Sequence, residues 1–311
     1  MQLETYKTRQ ENNIAERTLE TRLGALSTFE EYIGEGEPDV DDVEDFIEHL
    51  IEKHNNGEMK ASTIREYYKI IRRYFVVVLN EGGDSLDRIA EWLPDNDSDP
   101  GDFLDTNELE LFRDSMRGFR DLAIVDVMYF YARRPTEVIL LNEEDLDKDE
   151  GTITFNILKK NNDNKTVKLE LENGDEYDVM RATFELRDRP QKSVNKWLKF
   201  KPKVEQTVML EGKEMTVHPL FTAASGRIGY NSIYKMITQG CDRAGIGKNI
   251  TPKSLRHSRA THLDWDGRTP GNVARHMLLH DPDSQVIGRY VHERDSDDVR
   301  EVMTLDGDNN G

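Results

Sequence analysis

The chain holds 311 residues, 36% hydrophobic and 33% charged, enough for two domains that each bury a core. Its longest apolar runs, 74–79 and 127–132, fall far short of the roughly 20 residues of a membrane span, and the charged first thirty residues read as no signal peptide, so a cytoplasmic location and no membrane partner are expected. The formal net charge is −19, which argues against nucleic acid unless basic residues are locally concentrated, and a lone Cys241 allows no internal disulfide.

Residues 1 to about 90 read as helical. Leu19, Leu23, Leu26, Phe29 and Ile33 recur near a helical period across 18–33, and Val43, Phe46, Ile47, Leu50 and Ile51 do so across 40–54. A third helix, 63–80, opens on Thr63 three residues ahead of Glu66, the spacing of a capping box. On it Arg65, Lys69, Arg72 and Arg73 share one face, while Ile64, Tyr68, Ile71 and Phe75 form another. Residues 1–100 carry 24 acidic against 11 basic side chains, −13, and the remaining 211 residues carry −6. Within so acidic a stretch the basic stripe fits docking on DNA phosphates; the competing reading is a solvated face that Glu66 partly compensates. A loop with Pro94, Pro100, Gly101 and the acidic 95–99 follows. It sets the expected division into a helical domain 1–94, a linker 95–104 and a second domain 105–311.

Beyond the linker, 106–115 and 118–132 look helical, the second almost wholly apolar towards its end. The period then changes, and 151–158 and 165–171 alternate like strands around a polar turn at 161–164. Asn173-Gly174 reads as a second tight turn, and 207–217, broken by Glu211-Gly212-Lys213, as another hairpin. From Tyr230 the chain is helical again, with Pro252 placed to start a helix. The expected fold class is mainly α with a small antiparallel β-sheet.

Three segments of the C-terminal half concentrate polar chemistry. The first is Tyr131-Ala132-Arg133-Arg134-Pro135-Thr136-Glu137-Val138, followed by Leu140-Leu141 and Asp145-Leu146-Asp147. The second runs Thr251-Pro252-Lys253-Ser254-Leu255-Arg256-His257-Ser258-Arg259-Ala260-Thr261-His262-Leu263. The third is Leu278-Leu279-His280-Asp281-Pro282-Asp283, ending at Arg289-Tyr290-Val291-His292. In this order they resemble the tyrosine recombinase, or phage integrase, family across 106–293. Arg134 and Glu137 match its first box. Lys253, Leu255, Arg256, His257, Ser258, Ala260 and Thr261 match the second, and His280, Tyr290 and His292 the nucleophile box. Residues 1–90 share only helical character with it.

The resemblance implies a helical SAM-like core-binding domain and a tyrosine-recombinase catalytic domain clamped around duplex DNA. It also implies a site-specific DNA recombinase (integrase) that cleaves and rejoins strands through a 3′-phosphotyrosine intermediate. Tyr290 would be the nucleophile, with Arg134 and Arg256 gripping the non-bridging phosphate oxygens through charged, forked contacts. A lysine beside the 161–164 turn would protonate the leaving oxygen; Lys160 is preferred, with Lys159 and Lys165 as alternatives. Lys253 stands where many relatives carry His, which moves its role towards phosphate contact. His280 follows Leu279 rather than the usual Gly and lies ten residues before Tyr290, so His276 is an alternative. Glu137 is expected to be buried and structural, His257 to support the phosphate or the core, and Cys241 to pack.

His276 and His280 lack an evident third ligand, so no metal is expected; no cofactor is expected, because the phosphotyrosine keeps the bond energy. The implied partners are double-stranded DNA and a homotetramer on two DNA sites, with 295–305 as a helix donated between subunits. Rival readings are a Xer-type resolvase of chromosome dimers or plasmids, and a DNA-binding protein of the same fold without activity. The acidic surface suits a halophilic source, haloarchaeal or a mobile element of one, since such a surface stays hydrated in concentrated salt.

Overall fold

The computed structural model describes residues 1–14, 16–34, 36–80, 86–95, 102–158, 166–224 and 226–265. Two compact units follow one another along the chain, Met1–Ser98 and Asp99–Gly311.

The first unit is helical: α1 (Leu3–Gln10), α2 (Glu16–Ile33), α3 (Val40–Asn55), α4 (Ala61–Tyr74) and the short α5 (Asp87–Ala90). Their apolar faces meet in one core containing Tyr6, Leu26, Phe29, Val43, Phe46, Ile64, Ile71 and Phe75. α3 begins on a reciprocal cap in which Asp39 accepts from the Asp42 amide and Asp42 from the Asp39 amide, each at 3.0 Å. The capping box expected at Thr63 does not form. Lys60 is the N-cap of α4 and Thr63 lies inside the first turn. Burial decides this, because Ala61 and Ile64 both sit in the interior and draw the helix start back past Thr63. The α-helix also stops earlier than expected, at Tyr74, and widens into a π turn over Phe75–Leu79 that Asn80 closes in the left-handed region at φ 57°. The Val77 carbonyl in that turn accepts from Arg9 of α1.

The second unit packs helices around and beside a sheet. α6 (Thr106–Asp114) is capped by Asp105 and Glu108, bonded reciprocally at 2.8 and 2.9 Å. α7 (Phe119–Phe130) is buried nearly all round, which accounts for its apolar run. After the brief α8 (Pro135–Ile139) come the strands, α9 (Asp188–Leu198), α10 (Tyr230–Ala244) and α11 (Pro252–Trp265), the last with proline at its first position as expected.

The sheet has six strands in the order β1-β2-β4-β3-β5-β6: β1 (Leu146–Asp147), β2 (Thr152–Ile157), β3 (Val167–Leu171), β4 (Glu176–Glu185), β5 (Gln206–Leu210) and β6 (Lys213–Val217). A small ribbon, β7 (Thr222–Ala223) with β8 (Gly226–Arg227), stands apart, and every pairing is antiparallel. The expectation that the strands around 161–164 pair with each other is corrected. Strand β4 lies between them, pairing Thr152↔Glu185 through Ile157↔Met180 with β2 and Val167↔Val179 through Glu170↔Glu176 with β3. Its ten residues are long enough to serve both neighbours. The loop through Asn173-Gly174 is the β3–β4 turn, and Gly174 sits at φ 87°. The β5–β6 hairpin turns on Glu211 and Gly212, both left-handed at φ 52° and 74°, as a two-residue turn requires. The expected turn at 161–164 lies outside the described residues. Among those described, no helix is long and apolar enough to cross a membrane.

Candidate active site

The first and second boxes meet at the C-terminal end of α7. Ala132 adopts φ +50°, its amide donates to the Tyr129 carbonyl at 3.0 Å, and the Arg133 amide donates to the Met128 carbonyl at 3.0 Å. This left-handed step turns the chain so that Arg134, in extended conformation, becomes the N-cap of α8 with Pro135 behind it. Glu137, one turn on, accepts from the Arg134 amide at 2.9 Å and from Arg134 Nη1 at 2.6 Å. Helix α11 delivers Arg256, whose Nη1 donates to the Ala132 carbonyl at 2.6 Å. One turn thus anchors Arg256 through a backbone oxygen and, two residues on, carries Arg134, which Glu137 holds.

Burial divides the cluster. Glu137 and Arg133 are fully buried, Arg256 is 2% exposed, and the Arg134 side chain is 28% exposed. Arg133, and not Arg134, is the arginine buried after the apolar run of α7. The turn at Ala132 sends Arg133 inward, where Nε donates to the Tyr131 carbonyl at 2.6 Å and the guanidinium lies 5.6 and 5.0 Å from the rings of Phe155 and Phe184. Its neighbour, held at the helix end by Glu137, stays at the rim.

The charges are strongly coupled. Burial alone would raise the Glu137 carboxyl, but Arg133, Arg134 and Arg256, with the Arg134 amide, hold it below its ordinary value. Burial pushes the Arg133 guanidinium down to about 9 despite Glu137, and Arg256 and Arg134 add to the fall, so it stays charged at neutral pH. A rim guanidinium beside a buried one, each braced from behind, is an arrangement suited to a tetrahedral oxyanion.

Lys253 is exposed in the first turn of α11, and His257 is buried. Ser258 Oγ accepts from the Leu104 amide at 2.9 Å and donates to the Ser254 carbonyl at 2.8 Å, pinning the helix to the start of the unit. Arg259 is fully buried, 5.3 and 5.6 Å from the rings of Tyr129 and Phe130, and the Tyr129 hydroxyl shares a 2.7 Å hydrogen bond with His262 Nδ1. The sequence reading assigned nothing to Arg133, Arg259 or His262. Arg259 and Arg256, three apart in a helix, carried the only available signal. Cys241 is buried, and that burial lifts its thiol to about 11.

In the first unit the basic stripe is partly committed. Arg65 donates to the Pro94 and Leu93 carbonyls at 2.8 and 3.3 Å, Lys69 pairs with Glu66 at 2.7 Å, and Arg72 pairs with Asp87 at 3.2 Å. Arg73 is exposed and forms no ion pair among the described residues. Pairs as open as Lys69–Glu66 contribute little and exchange readily for another anion.

Lys160, His280 and Tyr290 lie outside the described residues, as do their alternatives Lys159, Lys165 and His276 and the expected helix at 295–305. Among the described residues no three His, Cys, Asp or Glu side chains gather as a metal site.

The Phage integrase family model matches residues 102–297, well over half of the chain. Tyrosine recombinase XerD of Staphylococcus saprophyticus is 28% identical over 246 residues, spanning 77% of this chain and 74% of that protein. Tyrosine recombinase XerC of Vibrio cholerae is 25% identical over 231 residues, 70% of this chain and 63% of its own length. Among solved structures, the Tn1549 transposon integrase in complex with circular intermediate DNA superposes with a TM-score of 0.72 at 16% identity, covering 97% of this chain and 98% of that one. A lambda integrase dimer bound to a COC′ core site gives 0.67 at 11% identity, covering 94% and 78%. At such identities the structural likeness speaks for the fold, helices with an antiparallel sheet as expected.

Proposed function

The chain belongs to the phage integrase family, the tyrosine-type site-specific DNA recombinases, and from that premise we propose that it cleaves and rejoins duplex DNA with Tyr290 as nucleophile. The phenolate oxygen attacks the scissile phosphorus, the bond to the 5′-oxygen breaks, and a 3′-phosphotyrosine forms. Lys160 gives the departing oxygen its proton. Arg134 and Arg256 hold the non-bridging oxygens, where preorganised positive charge lowers the barrier most. Lys253 adds a phosphate contact, and His280 supports the same phosphate beside Tyr290. Attack by a second 5′-hydroxyl reverses the chemistry on a new partner, so the bond energy passes through the enzyme without a cofactor.

The observation that carries this reading is that one turn bears Arg134, braced by buried Glu137, and anchors Arg256 through the Ala132 carbonyl, with both guanidiniums acting on the Glu137 carboxyl. The stripe Arg65, Lys69, Arg72 and Arg73 is the proposed contact of the first unit with the DNA backbone, Arg73 foremost. A homotetramer on two DNA sites, with 295–305 exchanged between subunits, completes the proposal, together with a cytoplasmic location and a halophilic source for the −19 charge. The relatives named XerC and XerD support a second reading with the same chemistry, resolution of chromosome or plasmid dimers.

A nicked suicide duplex, from which the 5′-hydroxyl fragment diffuses away, tests the chemistry. Wild type is expected to leave a covalent protein–DNA adduct and Tyr290→Phe none. Arg134→Ala and Arg256→Ala should each lose about 100-fold or more in rate. An undiminished adduct with Tyr290→Phe would move the nucleophile elsewhere.

A further inference from the structure

Arg133 has no part in that scheme, yet it is fully buried between the two boxes. Sinking a guanidinium is costly until its contacts offset the loss of water, and an apolar chain of similar volume would lie under two phenylalanine rings without that cost. What the arginine does, and an apolar chain would not, is tie three pieces together. Its Nε holds the Tyr131 carbonyl, one peptide before the left-handed Ala132 whose own carbonyl holds Arg256. Its guanidinium face rests on Phe155 of β2 and Phe184 of β4. Its backbone runs directly into Arg134. The turn that carries Arg134 and anchors Arg256 is therefore fastened to the sheet by this side chain as well as by Tyr131, whose hydroxyl donates to the Glu185 carbonyl of β4 at 3.1 Å.

We propose that Arg133 is a positioning residue for the phosphate-binding pair, locking the turn at Tyr131 and Ala132 against the sheet so that Arg134 and Arg256 address the same phosphate. The inference rests on the reading of those two arginines as phosphate ligands. It distinguishes Arg133 from a core filler, because its loss should appear in the handling of phosphate charge over and above any loss of stability.

The test compares Arg133→Met and Arg133→Lys in the full chain on two suicide duplexes. One carries the natural phosphodiester at the scissile position, the other a neutral methylphosphonate with one non-bridging oxygen replaced by methyl. Arg133→Met is expected to bind duplex with a Kd within about twofold of wild type and to cleave the phosphodiester about 10- to 100-fold more slowly, in its single-turnover rate constant at saturating duplex, the scale of a misplacement near 1 Å. On the methylphosphonate the deficit should shrink to about threefold or less, since a misplaced pair has less charge to meet. Arg133→Lys, which keeps the charge and a donor for Tyr131, should recover part of the rate. Cleavage by Arg133→Met within twofold of wild type, or equal deficits on both substrates, overturns the proposal. Should the Met variant not fold, the Lys variant carries the same comparison, and equal deficits again overturn it. Arg134→Ala serves as the separate control: if it cleaves normally, the phosphate reading fails first and on its own terms.

Discussion

Replacing Glu137 by Gln keeps the shape of a fully buried side chain and one carbonyl acceptor, but removes the negative charge that Arg133, Arg134 and Arg256 share. Breaking a buried ion pair from one side costs about 3–5 kcal/mol, because the remaining charges lose their counterpart in a low-dielectric site. For a unit of this size each kcal/mol moves Tm by about 2–4 °C, so the transition should fall by roughly 6–20 °C. The wild-type carboxyl is held below its ordinary value of 4.5 by the three guanidiniums, against the opposing effect of burial. A depressed carboxyl contributes stability that is fully present above its unfolded value and is lost as pH falls through the lower folded value. The gap between wild type and Glu137→Gln should therefore stay constant at neutral pH and close on acidification below that range. Thermal unfolding of the full chain by circular dichroism, at pH 7 and in steps towards about pH 3, reads both effects. A variant melting within about 1 °C of wild type at pH 7, or a gap that persists unchanged into acid, would refute the argument.

Three further outcomes follow from other parts of the molecule. A Cβ at Gly240 of α10 would lie 2.8 Å from Phe112 Cε2 and press on Met116 Cε, so Gly240→Ala should cost about 1–3 kcal/mol; an unchanged denaturant midpoint would mean that α6 gives way freely. His218 Nδ1 bonds Glu144 at 2.5 Å, a contact that raises the imidazole, while the Glu144 carboxyl is lowered through bonds from His218 that outweigh its burial. The imidazole's contribution is full below its unfolded value of 6.5 and lost as pH rises through the raised folded value. His218→Ala should thus lower Tm more at mildly acidic than at alkaline pH, and the opposite order would contradict the pairing. With a net charge of −19, Tm should climb between about 0.1 M and molar NaCl as like charges are screened, and a flat response would sink the halophilic reading.

The helices were legible because each carries a local record of its environment. The spacing of Val43, Phe46, Ile47 and Leu50 marks the buried face of α3, and Pro252 marks the start of α11. The β5–β6 hairpin was legible for a similar reason, since Glu211-Gly212 is a turn that two left-handed residues must make. Strand β4 was not, because partner choice is non-local and its alternation is diluted by exposed positions on both faces. Nothing in the neighbouring strands says that a third will come between them. At the site, the residue types were legible and their depth was not. Arg133 and Arg134 are chemically identical neighbours, and only the left-handed Ala132 decides which goes inward. Likewise nothing in the helix position of Arg65 tells that carbonyls 28 and 29 residues further on accept from its Nε and Nη2.

The hook between Ala132 and Arg256 has a consequence for how this enzyme can change. A carbonyl belongs to the main chain, so the acceptor that Arg256 uses is present whatever side chain stands at position 132. The narrow point is the backbone at position 132: glycine or asparagine would tolerate its left-handed conformation, whereas valine, isoleucine or threonine would force the turn open and draw the carbonyl away from Arg256.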